Sequence, residues 1–158
     1  MKGIADTGFV VAFANRADRH HEWAVELARN QDEPFLTCEA VLAEASFHLQ
    51  NPALVLALVA DGLLDPSFDC RSHLPHLAGL AKRYADRRPD LADLCIIRLS
   101  ELHPHHTVLT TQLGADELTD LAEVFSTELV LIDADTTRRS LAKELRWSAA
   151  YHRLAQRL

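Results

Sequence analysis

A chain of 158 residues with 48% apolar residues is long enough for one domain with a buried core and too apolar for disorder. Its apolar runs fall far short of the roughly 20 residues a membrane span needs, and no basic-then-apolar leader opens it, so the expected setting is cytoplasmic with no membrane. A net charge of −7 argues against indiscriminate nucleic-acid binding through a basic body, though not against a metal-dependent nuclease.

In chain order, Gly3 to Ala5 reads as a very short strand that stops at Asp6, and the apolar run Phe9 to Phe13 opens a helix. A carboxylate in that position points into the crevice at the carboxyl edge of a parallel sheet. Thr7 either caps the new helix or holds Asp6 through its hydroxyl. A polar loop, Asn15 to Arg19, leads to a helix from His20 to Arg29. His20 and His21 are adjacent and diverge by about 100° on a helix, which suits a metal poorly. Pro34 to Cys38 is a strand, Glu39 to Leu49 a helix, and Ala53 to Ala60 a second helix after a break at Asn51-Pro52. Leu63 to Phe68 is extended and belongs at a sheet edge, because Pro66 has no N–H for a ladder.

Leu74 to Tyr84 and Leu91 to Leu102 are helices separated by Asp86-Arg-Arg-Pro89. His103-Pro-His-His106 follows, placed to complement a helix dipole or to bind a transition metal. Thr107 to Thr111 is a strand, Ala115 to Phe125 a helix and Glu128 to Ile132 the last strand. Strands alternating with helices imply an α/β fold with a parallel sheet covered on both faces. Cys38, Cys70 and Cys95 are widely spaced and read as reduced core residues.

Two carboxylates stand out. On a helix from Glu39, the polar stripe is Glu39, Ala43, Ser46 and Gln50, while Glu44 aligns with Ala40, Val41, Phe47 and His48 on the inward side. Asp93 shares its face with Pro89, Asp90, Ile96, Ile97 and Ser100, and Arg98 and Glu101 take the more exposed face. An inward carboxylate must be protonated, matched to a cation or wetted by a cleft. Each acid either pairs with an internal Arg or caps a backbone group, or joins Asp6 in one acidic site. Such a site suits Mg²⁺ or Mn²⁺, which favour hard oxygen ligands. No Cys/His spacing suits structural zinc.

Asp6-Thr-Gly before an apolar helix, Thr37-Cys-Glu-Ala-Val-Leu-Ala-Glu44, and Asp90-Leu-Ala-Asp93 ahead of Ile96-Ile-Arg-Leu-Ser-Glu101 together resemble the PIN-domain ribonucleases. They look most like the single-domain, VapC-like toxins of type II toxin–antitoxin pairs, from residue 2 to about 112. The resemblance implies a three-layer α/β/α sandwich with a central, mainly parallel sheet, spanning 1–135. It implies a catalytic triad of Asp6, Glu44 and Asp93, with Asp6 and Asp93 as the metal ligands and Thr7 orienting Asp6. It further implies a Mg²⁺-dependent endoribonuclease (Mn²⁺ as substitute), an RNA substrate, a cognate antitoxin and a homodimer. Where that family places a further Asp after the fourth strand, this chain has Gln112. That difference keeps an RNA- or protein-binding module open as the alternative, with a metal-dependent phosphohydrolase beside it.

The stretch 136–158 carries Arg138, Arg139, Lys143, Arg146, Arg153 and Arg157 against the single acid Glu144. Leu141, Leu145, Ala149, Leu154 and Leu158 recur at broadly helical spacing. Two readings follow: a basic helix packed on the acidic body or on a dimer mate, or an arginine-rich surface that gathers RNA phosphates.

Overall fold

The structure, a computed structural model, describes residues 2–111 and 129–131. Among the described residues the sheet has five strands, all parallel: β1 (Gly3–Ala5), β2 (Phe35–Cys38), β3 (Leu64–Phe68), β4 (Thr107–Thr110) and β5 (Leu129–Leu131). Their spatial order is β3-β2-β1-β4-β5, so the three-residue strand β1, buried throughout, lies in the middle. Helices α1 (Thr7–Ala14), α2 (His21–Arg29), α3 (Glu39–Leu49), α4 (Pro52–Ala60), α5 (Leu74–Arg83) and α6 (Leu91–Leu102) surround it. The result is the expected three-layer α/β/α sandwich. The helix expected at 115–125 and the basic stretch 136–158 lie outside the described residues.

β1 can be only three residues long because both its neighbours are parallel strands and all three residues are buried. A parallel strand covered on both faces needs continuous apolar residues, and Gly-Ile-Ala supplies them with little bulk. Gly3 is dictated by the core: a Cβ there would sit 2.6 Å from Cδ1 of Phe35. That ring packs edge-on to Phe9, which also meets Phe13 and Trp23. The aromatic group joins α1 and α2 to β2.

β3 is an edge strand, and Pro66 within it leaves one place where a further strand cannot receive an N–H. Asn51-Pro52 starts α4 where a break was expected: the Asn51 side chain accepts the Leu54 N–H at 3.1 Å, with Pro52 in the first turn. Proline is welcome there because its missing N–H has no partner to lose. No helix among the described residues is long and apolar enough to cross a membrane.

Candidate functional site

β1 delivers Asp6 to the carboxyl edge of the sheet. The Asp6 backbone N–H still donates to Leu109 of β4, at 3.1 Å, which anchors the end of the strand. Its carboxylate then caps α1, with Oδ1 accepting the Thr7 N–H at 2.7 Å. The side chain of Thr110, at the end of β4, hydrogen-bonds the same carboxylate. Burial nevertheless dominates and raises Asp6 from 3.8 to about 6; both hydrogen bonds oppose the rise, and the charges of Asp93 and Glu44 add to it.

Glu44 reaches the same place from α3. Its Oε2 accepts the Thr7 hydroxyl at 2.5 Å, and its Oε1 lies 3.8 Å from Nε2 of His48. Asp93 arrives from the first turn of α6 in a capping box. Its Oδ2 accepts the Asp90 N–H at 3.0 Å, while Asp90 Oδ1 accepts the Asp93 N–H at 2.9 Å. Desolvation raises Asp93 first, the Asp90 N–H lowers it, and the charges of Asp90 and Glu44 raise it again. The three acids, distant in sequence, therefore share one electrostatic environment.

Their orientation differs from expectation in three ways. α3 buries Val41 and Ala45, whereas Phe47 is 78% exposed, so Glu44 flanks the packed stripe instead of pointing inward. Apolar residues sit on nearly every side of α3, and contacts with α1 and α4 choose its rotation where periodicity does not. Asp93 is exposed, because the capping box holds it at the helix entrance while Ala92, Leu94, Cys95, Ile96 and Ile97 are buried. Thr7 gives its hydroxyl to Glu44, and it is Asp6 that caps the helix. Sequence reasoning missed Thr110; its position one strand over at the same sheet edge was the available signal.

The donor chemistry of these acids suits a hard divalent cation, and each carboxylate has oxygen capacity beyond its protein hydrogen bonds. No group of three His, Cys, Asp or Glu side chains among the described residues is arranged as a ready-made metal site. The fit is thus one of charge and donor type. Gln112 lies outside the described residues.

The histidines separate cleanly. His21 Nδ1 lies 2.9 Å from the carbonyl of Ala12, and Arg19 Nε donates to His20 Nε2 at 2.8 Å, so that pair is used locally. His103 ends α6, and its ring meets His106 edge-on with centroids 4.9 Å apart. Burial lowers His106 first, and the neighbouring His103 and Lys2 lower it further.

What the fold and site define is an α/β protein with an acidic cluster at the carboxyl edge of a parallel sheet. No protein-family model matches the chain. Among curated relatives, an L-arabinose isomerase of Nocardioides sp. is 67% identical over 70 residues, covering 44% of this chain and 14% of the isomerase. The L-arabinose isomerase of Clavibacter sepedonicus is 46% identical over 85 residues, covering 54% of this chain and 17% of the isomerase. That of Arthrobacter sp. is 45% identical over 87 residues, 55% of this chain and 17% of the isomerase. The chain thus spans about a sixth of the length of these relatives, and about half of it lies outside each alignment.

These relatives overturn the ribonuclease reading. The resemblance to PIN-domain toxins, phosphodiester hydrolysis, RNA as substrate, the antitoxin and the homodimer are withdrawn, as is the electrostatic RNA role of 136–158. The binding-module and phosphohydrolase alternatives gain no better support. The physical reason lies in the motifs. Asp6-Thr-Gly and Asp90-Leu-Ala-Asp93 are helix entrances in which the acids cap backbone N–H groups. Any parallel α/β protein can use such residues at such places for that purpose alone.

Proposed function

We propose that this chain takes part in interconverting an aldose and its ketose, as a part-length relative of the L-arabinose isomerases. The observation that carries the reading is the 67% identity over 70 residues with the Nocardioides protein. L-arabinose is the substrate to test first. A role for Asp6, Glu44 and Asp93 rests on their geometry and not on that identity. Aldose–ketose isomerisation moves hydrogen between adjacent sugar carbons, which calls for a group able to hold and release a proton near neutral pH. With no cation bound, burial raises Asp6 to about 6; as a metal ligand it would be held as the carboxylate, and proton transfer would fall to Glu44.

Glu44 is fixed by Thr7 and gives the site a second, oriented carboxylate. Mg²⁺ or Mn²⁺ would be held chiefly by Asp6 and Asp93, and when bound it would polarise a sugar oxygen. A cytoplasmic setting is supported by three free thiols, which persist in reducing compartments.

The test is ketose formation from L-arabinose by the full chain with Mn²⁺, alongside calorimetric titration of the sugar. Turnover that EDTA abolishes and Asp6→Asn lowers at least tenfold is the expected result. Folded protein that neither forms ketose nor binds the sugar saturably overturns the reading.

A further inference from the structure

The same carboxyl edge of the sheet holds a cavity of about 510 Å³ at the ends of β2 and β3, apart from the acidic cluster. The register between those two strands shifts between Leu36 and Cys38, an irregularity of the kind that re-aims side chains beside ligand sites. Glu39, the first residue of α3, lines the cavity. Ser67 and Phe68 of β3, Arg71 of the short 3-10 helix Cys70–His73, and Leu74 of α5 line it as well.

The turn after β3 is fixed by its own hydrogen bonds. Asp69 Oδ1 accepts the Arg71 N–H at 3.0 Å, and Oδ2 accepts the Ser72 hydroxyl. The buried Phe68 ring stacks on His73, with centroids 5.0 Å apart and planes 13° from parallel. The Asp69 carboxylate and the His73 ring are thus committed to the turn. Other liners of the cavity are not. The Arg71 guanidinium and the Glu39 carboxylate are exposed, and neither has an ion pair or hydrogen bond among the described residues. Leu74 leaves 55% of its surface exposed at the same cavity.

We propose that this cavity binds a free α-amino acid with an apolar side chain, its carboxylate on Arg71 and its ammonium on Glu39. Mixed charge selects the ligand class. A simple anion would meet the carboxylates of Glu39 and Asp69, and a simple cation would meet Arg71. A zwitterion satisfies both signs at once. The planar guanidinium takes a carboxylate through two parallel N–H donors, and a carboxylate accepts an ammonium through charge-assisted bonds. An apolar side chain covers Leu74 and the open edge of Phe68, a burial that the hydroxyls of a sugar would not gain. The volume falls within the range of small-molecule pockets, about 300–1,000 Å³.

The experiment titrates the full-length protein calorimetrically with L-leucine, L-leucinamide and N-acetyl-L-leucine. L-leucine should bind saturably, and each analogue, lacking one of the two charges, should bind about tenfold or more weakly. Arg71→Gln and Glu39→Gln, both checked for native circular dichroism, should each weaken L-leucine by a similar factor. Arg71→Gln should also cease to distinguish L-leucine from L-leucinamide, and Glu39→Gln should cease to distinguish it from N-acetyl-L-leucine. L-arabinose should leave the L-leucine affinity unchanged, which separates this cavity from the isomerase reading. Folded protein that does not bind L-leucine saturably overturns the proposal, as does an affinity that both substitutions leave intact. Displacement of L-leucine by inorganic phosphate or by L-arabinose would overturn it in favour of an anion or a sugar.

Discussion

The two edges of the sheet carry titratable groups under opposite rules. At the carboxyl edge Asp6, Glu44 and Asp93 face one another, yet each is held by hydrogen bonds from a helix entrance or from Thr7. At the amino edge the buried Nδ1 of His106 has no hydrogen-bond partner among the described residues, and both side-chain polar atoms of Gln31 are in the same condition. Burial raises Asp6 and lowers His106, since in each case it disfavours the charged form. The difference teaches where polar chemistry was organised: the carboxyl edge satisfies its polar atoms with donors, while the amino edge relies on keeping its imidazole neutral.

The strongest way to break this comparison is Asp6→Asn. Asp6 binds its proton more tightly folded than unfolded, so its contribution is complete below about pH 4 and lost as the pH rises through about 6. Asparagine caps a helix about as well as aspartate and carries no charge. The variant should be more stable than wild type at pH 8 by about 2–3 kcal/mol and nearly equal at pH 4, as urea melts at both values will show. Equal stability at pH 8 would mean that the carboxylate is charged at no cost. Any isomerase activity should fall in the same variant, which separates the stability role from the catalytic one.

Next in size is Gly3→Ala, at the amino-terminal end of β1. The new Cβ would meet the Phe35 ring at 2.6 Å, and that ring is fully buried against Phe9. Overpacking there should cost about 1–3 kcal/mol at every pH, because no charge is involved. A pH-dependent loss would point to electrostatic coupling along the sheet.

The smallest effect sharpens the comparison from the other side. His106 binds its proton less tightly folded than unfolded, so stability is retained above pH 6.5 and declines as the pH falls below it. His106→Gln should flatten the acid side of the stability profile and leave pH 8 unchanged. Combined with Asp6→Asn, it should remove slopes of opposite sign. A double variant with the wild-type profile would show that neither edge governs the pH response.

Much of the element order was legible from local pattern. The helices Glu39–Leu49 and Leu91–Leu102 have the expected bounds, β1 is Gly3–Ala5, and the edge position of β3 follows from Pro66. Boundaries elsewhere moved by a residue or two: β5 is Leu129–Leu131 within the expected 128–132, and Pro52 begins a helix it was expected to precede. Side-chain direction was much less legible. Glu44 and Phe47 were expected on one buried face, and Phe47 proved largely exposed. Asp93 was legible as a polar residue in an apolar helix, but its capping partner Asp90 decided its orientation.

The sequence by itself determined the alternation of short apolar strands with helices, and hence a parallel sheet with Asp6 at its carboxyl edge. Periodicity and turn chemistry are local, and a few neighbouring residues suffice to express them. Only the tertiary structure decided that Thr7 serves Glu44 and that Thr110 reaches Asp6. Each of those contacts joins residues from different elements, and close packing between elements fixes their relative rotation to within a side chain's width.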